Sequence, residues 1–351
     1  MDIKKQKYLK QTTCETYQYS IIIPTFNSKE SLLLLLDSII ASKDRQRFEI
    51  IVVDDASTDQ TCQAIANYPV RLIVSDKNRG SAHARNTGAF SAQTPYLIFF
   101  DADVVLQSNT LDLLIKSIKD QPKNHVYMGI YSEIPAKKNL ISEYKALLDA
   151  NHWKKIKSLQ VTSFEPRCAI MRKSLFDQSG GFDDRISGAD VEDYELGYRL
   201  LDLNARLFVN PSIRVNHHFP MSFKQLLLTM FCRTKSWMQL FLKRKKFDNV
   251  ASTPESALAC GISGLSGLLI PAVGFHNDVR VGFFCLICLF IFLFSDFIIH
   301  IFRTKGWWTG SKMFVLHYMI CICVFWGAMA GLFNIIMTKD VIKSVISMDC
   351  H

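Results

Sequence analysis

Residues 96–103 read YLIFFDAD, a run of five apolar or aromatic residues that ends in two aspartates separated by one alanine. Three further apolar runs precede this one, at residues 20–26, 48–55 and 70–76. Stretches with helical patterns separate the four runs, at residues 29–42, 57–68 and 80–93. Short apolar runs that alternate with helices predict a parallel sheet, because helices bury both faces of its strands.

Polar residues follow the predicted strands at the points where the strands end. They are Thr25, Asp54, Asp55, Asp101 and Asp103. Parallel α/β sheets bind their ligands at the carboxyl ends of the strands, so these side chains are candidates for a binding site. Asp101 and Asp103 lie two residues apart in an extended segment and therefore point to the same side. Two such carboxylates can hold a hard divalent cation that binds a diphosphate; two solvated loop aspartates are the alternative interpretation.

Asp54 and Asp55 have two interpretations. A carboxylate at the end of the second strand can cap the helix predicted over residues 57–68, with Ser57 or Thr58 as its N-cap, because negative charge is favourable at a helix N-terminus. A carboxylate in the same place can also accept a hydrogen bond from an N–H group of a nucleobase. Both interpretations can hold, one for each aspartate.

Two other pairs of residues are candidates. Glu192 and Asp193 begin a predicted helix, where one carboxylate can remove a proton from an acceptor hydroxyl. The alternative is an acidic first turn that only stabilises the helix. His217 and His218 end a strand-like segment, and adjacent strand residues face opposite ways. One of the two imidazoles can therefore complete a metal shell beside carboxylates; which one stays open, and a residue at a membrane surface is the alternative.

The C-terminal part of the chain is apolar. From Ser256 onward charges nearly vanish in three stretches, each long enough to cross the roughly 30 Å hydrocarbon core of a bilayer. We predict transmembrane spans at about 256–275, 281–302 and 313–337. The first stretch contains glycines, serines and Pro271, which is also consistent with a broken or re-entrant span. A tail with two spans is the main alternative.

The distribution of charge and apolar residues divides the chain into five segments. We predict an N-terminal tail (1–17), a catalytic domain (18–220), a basic amphipathic interfacial helix region (221–250), a transmembrane anchor (251–340) and a C-terminal tail (341–351). The N-terminus has no apolar signal core, and the ten cysteines suit a reducing compartment. We therefore expect a multi-pass protein of the inner or plasma membrane whose catalytic domain is cytoplasmic.

The net charge of +9 raises the question of a nucleic-acid partner. The densest basic cluster, residues 243–246, lies just before the first apolar span. A cluster in that position favours contact with anionic lipid head groups. No aromatic-rich RNA-binding signature accompanies it, so we predict membrane lipids as partners and no nucleic acid.

Seven segments occur together in an order and spacing that is specific to one family. They are IIIPTFN, VVDDASTDQT, NRGSAHARNTGA, FFDADV, GGFDD, VEDYELGYRL and IRVNHHFPMSF. On these segments the chain resembles family 2 glycosyltransferases of the GT-A fold, over about residues 18–240. The resemblance implies a Rossmann-like mixed α/β sheet with helices on both faces. It also implies an inverting transferase that uses a nucleotide-diphosphate sugar together with Mg²⁺ or Mn²⁺.

The resemblance also implies roles for individual residues. The implied contacts to the nucleotide sugar are Pro24, Thr25, Asp55, Arg85 and Asp101. Asp101 and Asp103 would hold the metal, and His217 would complete its shell. Asp193 would be the catalytic base, with Glu192 beside it to orient the loop or the acceptor. One base suffices because the cation stabilises the diphosphate leaving group, whereas a glycosidase needs two carboxyl groups.

One departure from the family narrows the function. Processive members such as cellulose and hyaluronan synthases carry a Q-x-x-R-W motif, and here that region reads CRTKSW. We therefore expect a single sugar transfer to a lipid-linked or membrane-proximal acceptor. A sugar-nucleotide pyrophosphorylase would need a glycine-rich phosphate loop, which IIIPTFNSKE lacks. A catalytically inactive membrane scaffold of the same fold is the other alternative, and the intact Asp101, Asp103 and Asp193 argue against it.

Overall fold

The computed structural model describes residues 17–43, 45–154, 159–186, 191–219, 222–248 and 252–348, with side chains up to residue 337. Residues 1–16 of the predicted N-terminal tail and residues 349–351 of the predicted C-terminal tail lie outside the described residues. The chain forms two compact units, Met1–Pro220 and Met221–His351.

The first unit is built on one sheet. Its strands within the described ranges are β1 (Tyr19–Thr25), β2 (Phe48–Asp54), β3 (Arg71–Val74), β4 (Tyr96–Phe100), β5 (Val104–Leu106), β6 (His125–Tyr131), β7 (Gln160–Val161), β8 (Cys168–Arg172) and β9 (Arg206–His217). Neighbouring strands follow the order β3-β2-β1-β4-β8-β6-β9-β5, and β7 pairs with β9.

Helices cover this sheet. They are α1 (Lys29–Ile40), α2 (Thr61–Ala64), α3 (Ser81–Ser91), α4 (Thr110–Ile118), α5 (Leu140–Lys154), α6 (Lys173–Ser179) and α7 (Glu192–Asp202), with a 3₁₀ turn at Arg45–Arg47. Helix α1 shows why such segments pack on a sheet. Its buried Leu32, Leu35, Leu36 and Ile39 recur at helical spacing and form one apolar stripe.

The first four strands pair as the sequence predicts. β1 is parallel to both β2 and β4, and β2 is parallel to β3. Beyond β4 the sheet is mixed, because β8 runs antiparallel to both β4 and β6. The register of β1 and β2 places Thr25 opposite Asp54. The polar ends of the two strands therefore meet at one edge of the sheet.

The helix predicted over residues 57–68 is wrong in its length, since only Thr61–Ala64 is helical. The side chain of Asn27 accepts hydrogen bonds from the backbone N–H groups of Thr58 and Asp59, at 2.8 and 3.2 Å. The carboxylate of Asp59 then accepts the N–H of Thr61 at 2.9 Å. Short polar side chains compete here with the helical backbone pattern, and Ser57 and Thr58 do not cap a helix.

Strand β9 ends beside the two aspartates that follow β4. Residues Arg206–His217 form one strand although the segment contains Pro211. Its parallel pairing with β6 shifts register between Met128 and Ile130, and this irregularity accommodates the proline. Antiparallel pairing with β5 then sets His217 opposite Val104.

The second unit is helical in its described residues. Its helices are α8 (Phe223–Arg244), α9 (Pro254–Leu269), α10 (Asn277–Leu293) and α11 (Ser295–Met348), with a 3₁₀ turn at Ile270–Ala272. A capping box begins α8, in which Ser222 and Gln225 each bind the other's backbone N–H. Gly306 has positive φ (72°) and kinks α11.

Helices α8 and α11 pack so closely that there is no room for a side chain between their backbones at two positions. A Cβ atom added to Gly327 would lie 2.6 Å from the carbonyl oxygen of Phe231, and one added to Gly331 would lie 2.5 Å from that of Lys235. One turn earlier, the thiol of Cys323 donates to the carbonyl oxygen of Leu227 at 3.1 Å. Contacts that advance by four residues on both helices mean that the two run parallel. Small side chains at every fourth position of α11 allow this approach.

Two helical segments are long and apolar enough to cross a membrane among the residues that were searched, Pro254–Ala272 and Ser295–Met337. They overlap the first and third predicted spans. The middle stretch, 281–302, is divided by the end of α10 and the start of α11. The number of spans stays a prediction.

Candidate active site

Helix α3 places Arg85 at the centre of the charged groups. Its Nη2 donates to Oδ1 of Asp101 at 2.7 Å, and its Nη1 donates to Oε1 of Glu192 at 3.0 Å. The Arg85 side chain is buried, and its guanidinium lies over the ring of Phe182. Although burial alone would lower the pKa of Arg85, the carboxylates of Asp101 and Glu192 raise it. Arg85 therefore stays charged and joins the strand end after β4 to the start of α7.

The two acidic residues at the start of α7 differ in their surroundings. Glu192 is 3% exposed, and its Oε1 accepts the Ser81 hydroxyl at 2.8 Å in addition to Arg85. Asp193 is half-buried, and its Oδ1 accepts the backbone N–H of Tyr194 at 2.8 Å. Glu192 thus belongs to the ion-pair network, whereas the carboxylate of Asp193 lies outside the hydrogen bonds to Arg85.

Asp103 lies beside one of the two histidines. Its Oδ2 is 3.1 Å from Nε2 of His217, and its Oδ1 is buried without a hydrogen-bond partner in the described part of the chain. His218 faces the other way, with Nε2 3.7 Å from Oε1 of Glu30. Burial works to raise the pKa of Asp103, but the neighbouring His217 holds it below its usual range. The carboxylate of Asp103 is therefore ionised at neutral pH.

The three predicted metal ligands do not form a closed cluster. Within the residues searched, no group of three or more His, Cys, Asp or Glu side chains is arranged to hold a metal ion. Asp103 and His217 are in contact, while one oxygen of Asp101 is bound to Arg85. The metal role of these three residues stays a prediction.

The predicted nucleotide contacts lie at the ends of β1 and β2. Pro24 and Thr25 end β1, and the hydroxyl of Thr25 is buried with no hydrogen-bond partner among the described residues. The carboxylate of Asp55 accepts the backbone N–H groups of Arg79 at 3.0 Å and Gly80 at 2.6 Å. A carboxylate has about four acceptor positions, so Asp55 retains capacity for a further donor.

Asp54 has a local structural role. Its Oδ2 accepts the backbone N–H of Ser57 at 2.9 Å, while its Oδ1 is buried without a partner in the described ranges. It therefore stabilises the turn after β2 and does not cap the long helix that the sequence predicts.

Sequence reasoning missed two residues that hold the site together. Ser81 precedes Arg85 by one helical turn and binds the same Glu192 oxygen. Asn86 clamps the backbone of Phe182, donating to its carbonyl oxygen and accepting its N–H, each at 2.8 Å. The spacing of Ser81 and Arg85 on one helix face was the available signal. No local sequence pattern indicates the contact between Asn86 and Phe182, which lie 96 residues apart.

Comparisons with known proteins bear on this arrangement. Residues 20–180 match the family model described as Glycosyl transferase family 2. An uncharacterised glycosyltransferase of Haemophilus influenzae is 30% identical over 126 residues, which are 35% of this chain and 40% of the relative. The dolichyl-phosphate beta-glucosyltransferase of Homo sapiens is 30% identical over 119 residues, which are 30% of this chain and 37% of the relative. The chain thus spans less than half the length of these two relatives.

A solved structure is similar over most of the chain. The mannosyltransferase PcManGT from Pyrobaculum calidifontis aligns with a TM-score of 0.53 over 91% of this chain and 87% of that structure. The two sequences are 18% identical, so the likeness concerns the fold. These findings confirm the predicted fold class and, over residues 20–180, the predicted family: this segment matches a glycosyl transferase family 2 domain in a GT-A-like fold.

Proposed function

We propose that this chain is an inverting glycosyltransferase that moves one sugar from a nucleotide-diphosphate sugar to a lipid-linked or membrane-proximal acceptor. The observation that carries the proposal is the charged cluster at the strand ends, where Arg85 joins Asp101 to Glu192 and Asp103 follows two residues after Asp101. Two similar proteins support it. The PcManGT structure is a complex with GDP-Man and Mn²⁺, and the human relative is named for dolichyl phosphate.

The donor atoms of the charged cluster suit a divalent cation, although the three side chains are not yet arranged around one point. The buried Oδ1 of Asp103 has no partner in the described residues, and such an atom costs free energy unless a ligand satisfies it. Asp101, Asp103 and His217 together offer the oxygen and nitrogen donors that Mg²⁺ or Mn²⁺ accepts. A cation held there stabilises the negative charge of the diphosphate leaving group.

Asp193 is the proposed base. Inversion requires one carboxylate on the face of the sugar opposite the leaving group, where it takes the proton from the acceptor hydroxyl. Glu192 is less suited to this step because its Oε1 already accepts hydrogen bonds from Arg85 and Ser81. Asp193 is half-buried and next to it in sequence.

Arg85 is proposed to orient the carboxylates that bind the donor sugar. Its two ion pairs fix the carboxylates of Asp101 and Glu192 relative to helix α3. An arginine between two carboxylates is held at both ends of its planar fork. We propose that the other carboxylate oxygen of Asp101, which is not bound to Arg85, accepts a hydrogen bond from a hydroxyl group of the nucleotide sugar.

The second unit supports a place at the membrane. The most apolar windows of its two candidate spans are only 28% and 22% buried within the protein, unlike those of a core helix. Large apolar side chains such as Phe275, Phe292 and Trp308 are exposed, as a lipid environment favours. Helix α8 carries lysines and arginines and no acidic residue, which suits anionic head groups. We propose a membrane protein with its catalytic unit on the cytoplasmic side.

The test is an assay of donor use by the full chain in detergent. UDP- and GDP-sugars are supplied with Mn²⁺, with and without extracted membrane lipids, and both the released nucleotide and the sugar in the lipid fraction are measured. We expect nucleoside diphosphate to be released with Mn²⁺, faster when lipid is present, and the sugar to enter lipid with inverted anomeric configuration. Formation of nucleoside triphosphate and sugar 1-phosphate when pyrophosphate is added would identify a pyrophosphorylase, and the absence of turnover with every donor would support the inactive scaffold.

A further inference from the structure

The ring of Tyr131 lies flat against the imidazole of His217. The two ring centroids are 4.3 Å apart, and the planes differ by 5°. The edge of Phe219 contacts the same imidazole, with centroids 5.0 Å apart. We propose that Tyr131 is a positioning residue, whose ring sets the plane of His217 so that Nε2 is presented, with Asp103, to a divalent cation. This inference rests on the metal site of the proposed function.

The sheet fixes this stack. Tyr131 is the last residue of β6 and pairs with Val215 on β9, so His217, two residues later, projects from the same face. Backbone hydrogen bonds extend the pairing beyond the strand, from Ser132 N–H to the Val215 oxygen at 2.8 Å and from Ala136 N–H to the His217 oxygen at 3.0 Å. The backbones that carry the two rings therefore have little freedom to separate.

Tyr131 is itself held in place. It is buried, and the guanidinium of Arg167 lies over its ring at 4.3 Å from the centroid. Arg167 is 13% exposed and forms an ion pair with Glu165 at 2.8 Å, and it lies 5.7 Å from the ring of Trp153. A cation over an aromatic face is favourable, more so when it is shielded from water. The plane of Tyr131 is thus set by contacts that do not involve His217.

The consequence for a cation follows from the geometry of an imidazole. Rotation about the bond between Cβ and the ring is soft, because such sp³–sp² torsions have broad minima. A flat partner at 4.3 Å restricts that rotation, and the lone pair of Nε2 lies in the ring plane. With the plane fixed, Nε2 stays directed at Asp103, 3.1 Å away. Contacts that orient a metal-binding histidine typically change metal affinity by about 10–100-fold.

The same strand provides a matched control. Tyr127 lies on β6 as well, and its ring stacks on Phe208 with centroids 5.3 Å apart and planes 19° apart. Within the described residues its ring contacts Phe208 and His125 and not His217. Tyr127→Leu therefore removes a stacked tyrosine from the same sheet and leaves the His217 stack intact.

The test measures Mn²⁺ binding directly, by electron paramagnetic resonance of free Mn²⁺ during titration of the full chain in detergent with GDP or UDP present. Four proteins are compared: wild type, Tyr131→Leu, Tyr131→Phe and Tyr127→Leu, each with its thermal unfolding. We expect Tyr131→Leu to weaken Mn²⁺ binding about 10–100-fold, and Tyr131→Phe and Tyr127→Leu to remain within about 3-fold of wild type. Equal Mn²⁺ affinity in Tyr131→Leu and wild type would overturn the inference, and so would equal losses in the two leucine variants.

A double substitution separates an effect through His217 from a general one. In a His217→Ala background, Tyr131→Leu should cause no further loss of Mn²⁺ affinity, because the residue acts through the imidazole. A full additional loss in that background would overturn the inference. If the wild type binds no Mn²⁺ with either nucleotide, the metal site of the proposed function fails and the inference fails with it. Normal Mn²⁺ binding without transfer leaves the inference standing and contradicts the proposed function alone.

Discussion

The charged cluster has two regions that differ in whether their carboxylate oxygens have hydrogen-bond partners. Around Arg85, the carboxylates of Asp101 and Glu192 are held by ion pairs of 2.7 and 3.0 Å. At Asp103, one oxygen meets His217, and the other is buried without a partner in the described residues. The first region has the contacts of a structural network. In the second region a buried carboxylate oxygen lacks a hydrogen-bond donor or cation within the described residues, and a ligand from solution would supply one.

This difference separates stability from binding. Breaking a buried ion pair leaves the partner charge without compensation and is strongly destabilising. Removing the Asp103 carboxylate costs the fold less, because only the contact between its Oδ2 and His217 is lost. Substitutions around Arg85 should therefore act mainly on unfolding, and substitutions at Asp103 mainly on donor binding. The predictions below test this division, in order of decreasing effect.

The largest effect is expected on the chemical step, at the boundary of the Arg85 region. Asp193→Asn keeps the shape and hydrogen bonding of the side chain but removes its basicity, so turnover should fall by roughly 10²–10⁴-fold while donor affinity survives. Glu192→Gln should change turnover less and lower the unfolding temperature more, because Glu192 is paired with Arg85. Single-turnover kinetics at saturating donor compare the two. Near-normal chemistry in Asp193→Asn with an inactive Glu192→Gln would reverse the assignment.

The next effect concerns the network itself. Arg85→Met leaves two carboxylates near each other without their shared cation, and we expect the free energy of unfolding to fall by about 3–5 kcal/mol. Arg185→Met is the control, since Arg185 pairs with Asp183 on the surface and is 86% exposed; its loss should leave the free energy of unfolding nearly unchanged. Denaturant unfolding of both variants measures the difference. Equal losses would show that the Arg85 network is not structural.

Asp103→Ala tests the other region. We expect the affinity for a nucleotide diphosphate with Mn²⁺ to fall by about 100-fold, with little change in unfolding. Isothermal titration calorimetry with and without Mn²⁺ measures it, and Asp112→Ala, at an exposed position on α4, is the control. Unchanged affinity in Asp103→Ala would remove the basis for a metal role there.

The smallest effect is expected at Thr25, whose buried hydroxyl also has no partner in the described ranges. Thr25→Val replaces that hydroxyl by a methyl group of similar size. We expect stability to be unchanged or to rise by up to about 1 kcal/mol, and nucleotide affinity to fall by about 3–10-fold as one hydrogen bond is lost. Thermal unfolding and nucleotide titration of one variant give both values. A clear loss of stability would mean that the hydroxyl has a structural partner.

The parts of the fold that were predictable are those with local signals. The apolar runs that end at Thr25, Asp54 and Phe100 predict the parallel strands, because burial on both faces demands continuous apolar residues. The family resemblance rests on seven segments, and the family match confirms it over residues 20–180. The roles of the individual site residues stay predictions.

Other features depend on contacts between distant parts of the chain. Arg85 and Glu192 form an ion pair although they lie 107 residues apart in the sequence, and no periodic sequence pattern indicates such a contact. The helix predicted after β2 is shortened by Asn27, which lies 31 residues before Thr58. The partner of His217 is Tyr131, on a strand that carries no motif. These contacts follow from how strands and helices pack, which local sequence patterns do not encode.

The parallel pairing of α8 and α11 has a consequence for the order in which the protein is made. Leu227 and Cys323 are in contact but lie 96 residues apart. At a synthesis rate of about 5–20 residues per second, α8 is complete roughly 5–20 s before its partner helix. During that interval the glycine face of α11 does not yet exist. The close contacts at Gly327 and Gly331 therefore cannot form until both helices have been made.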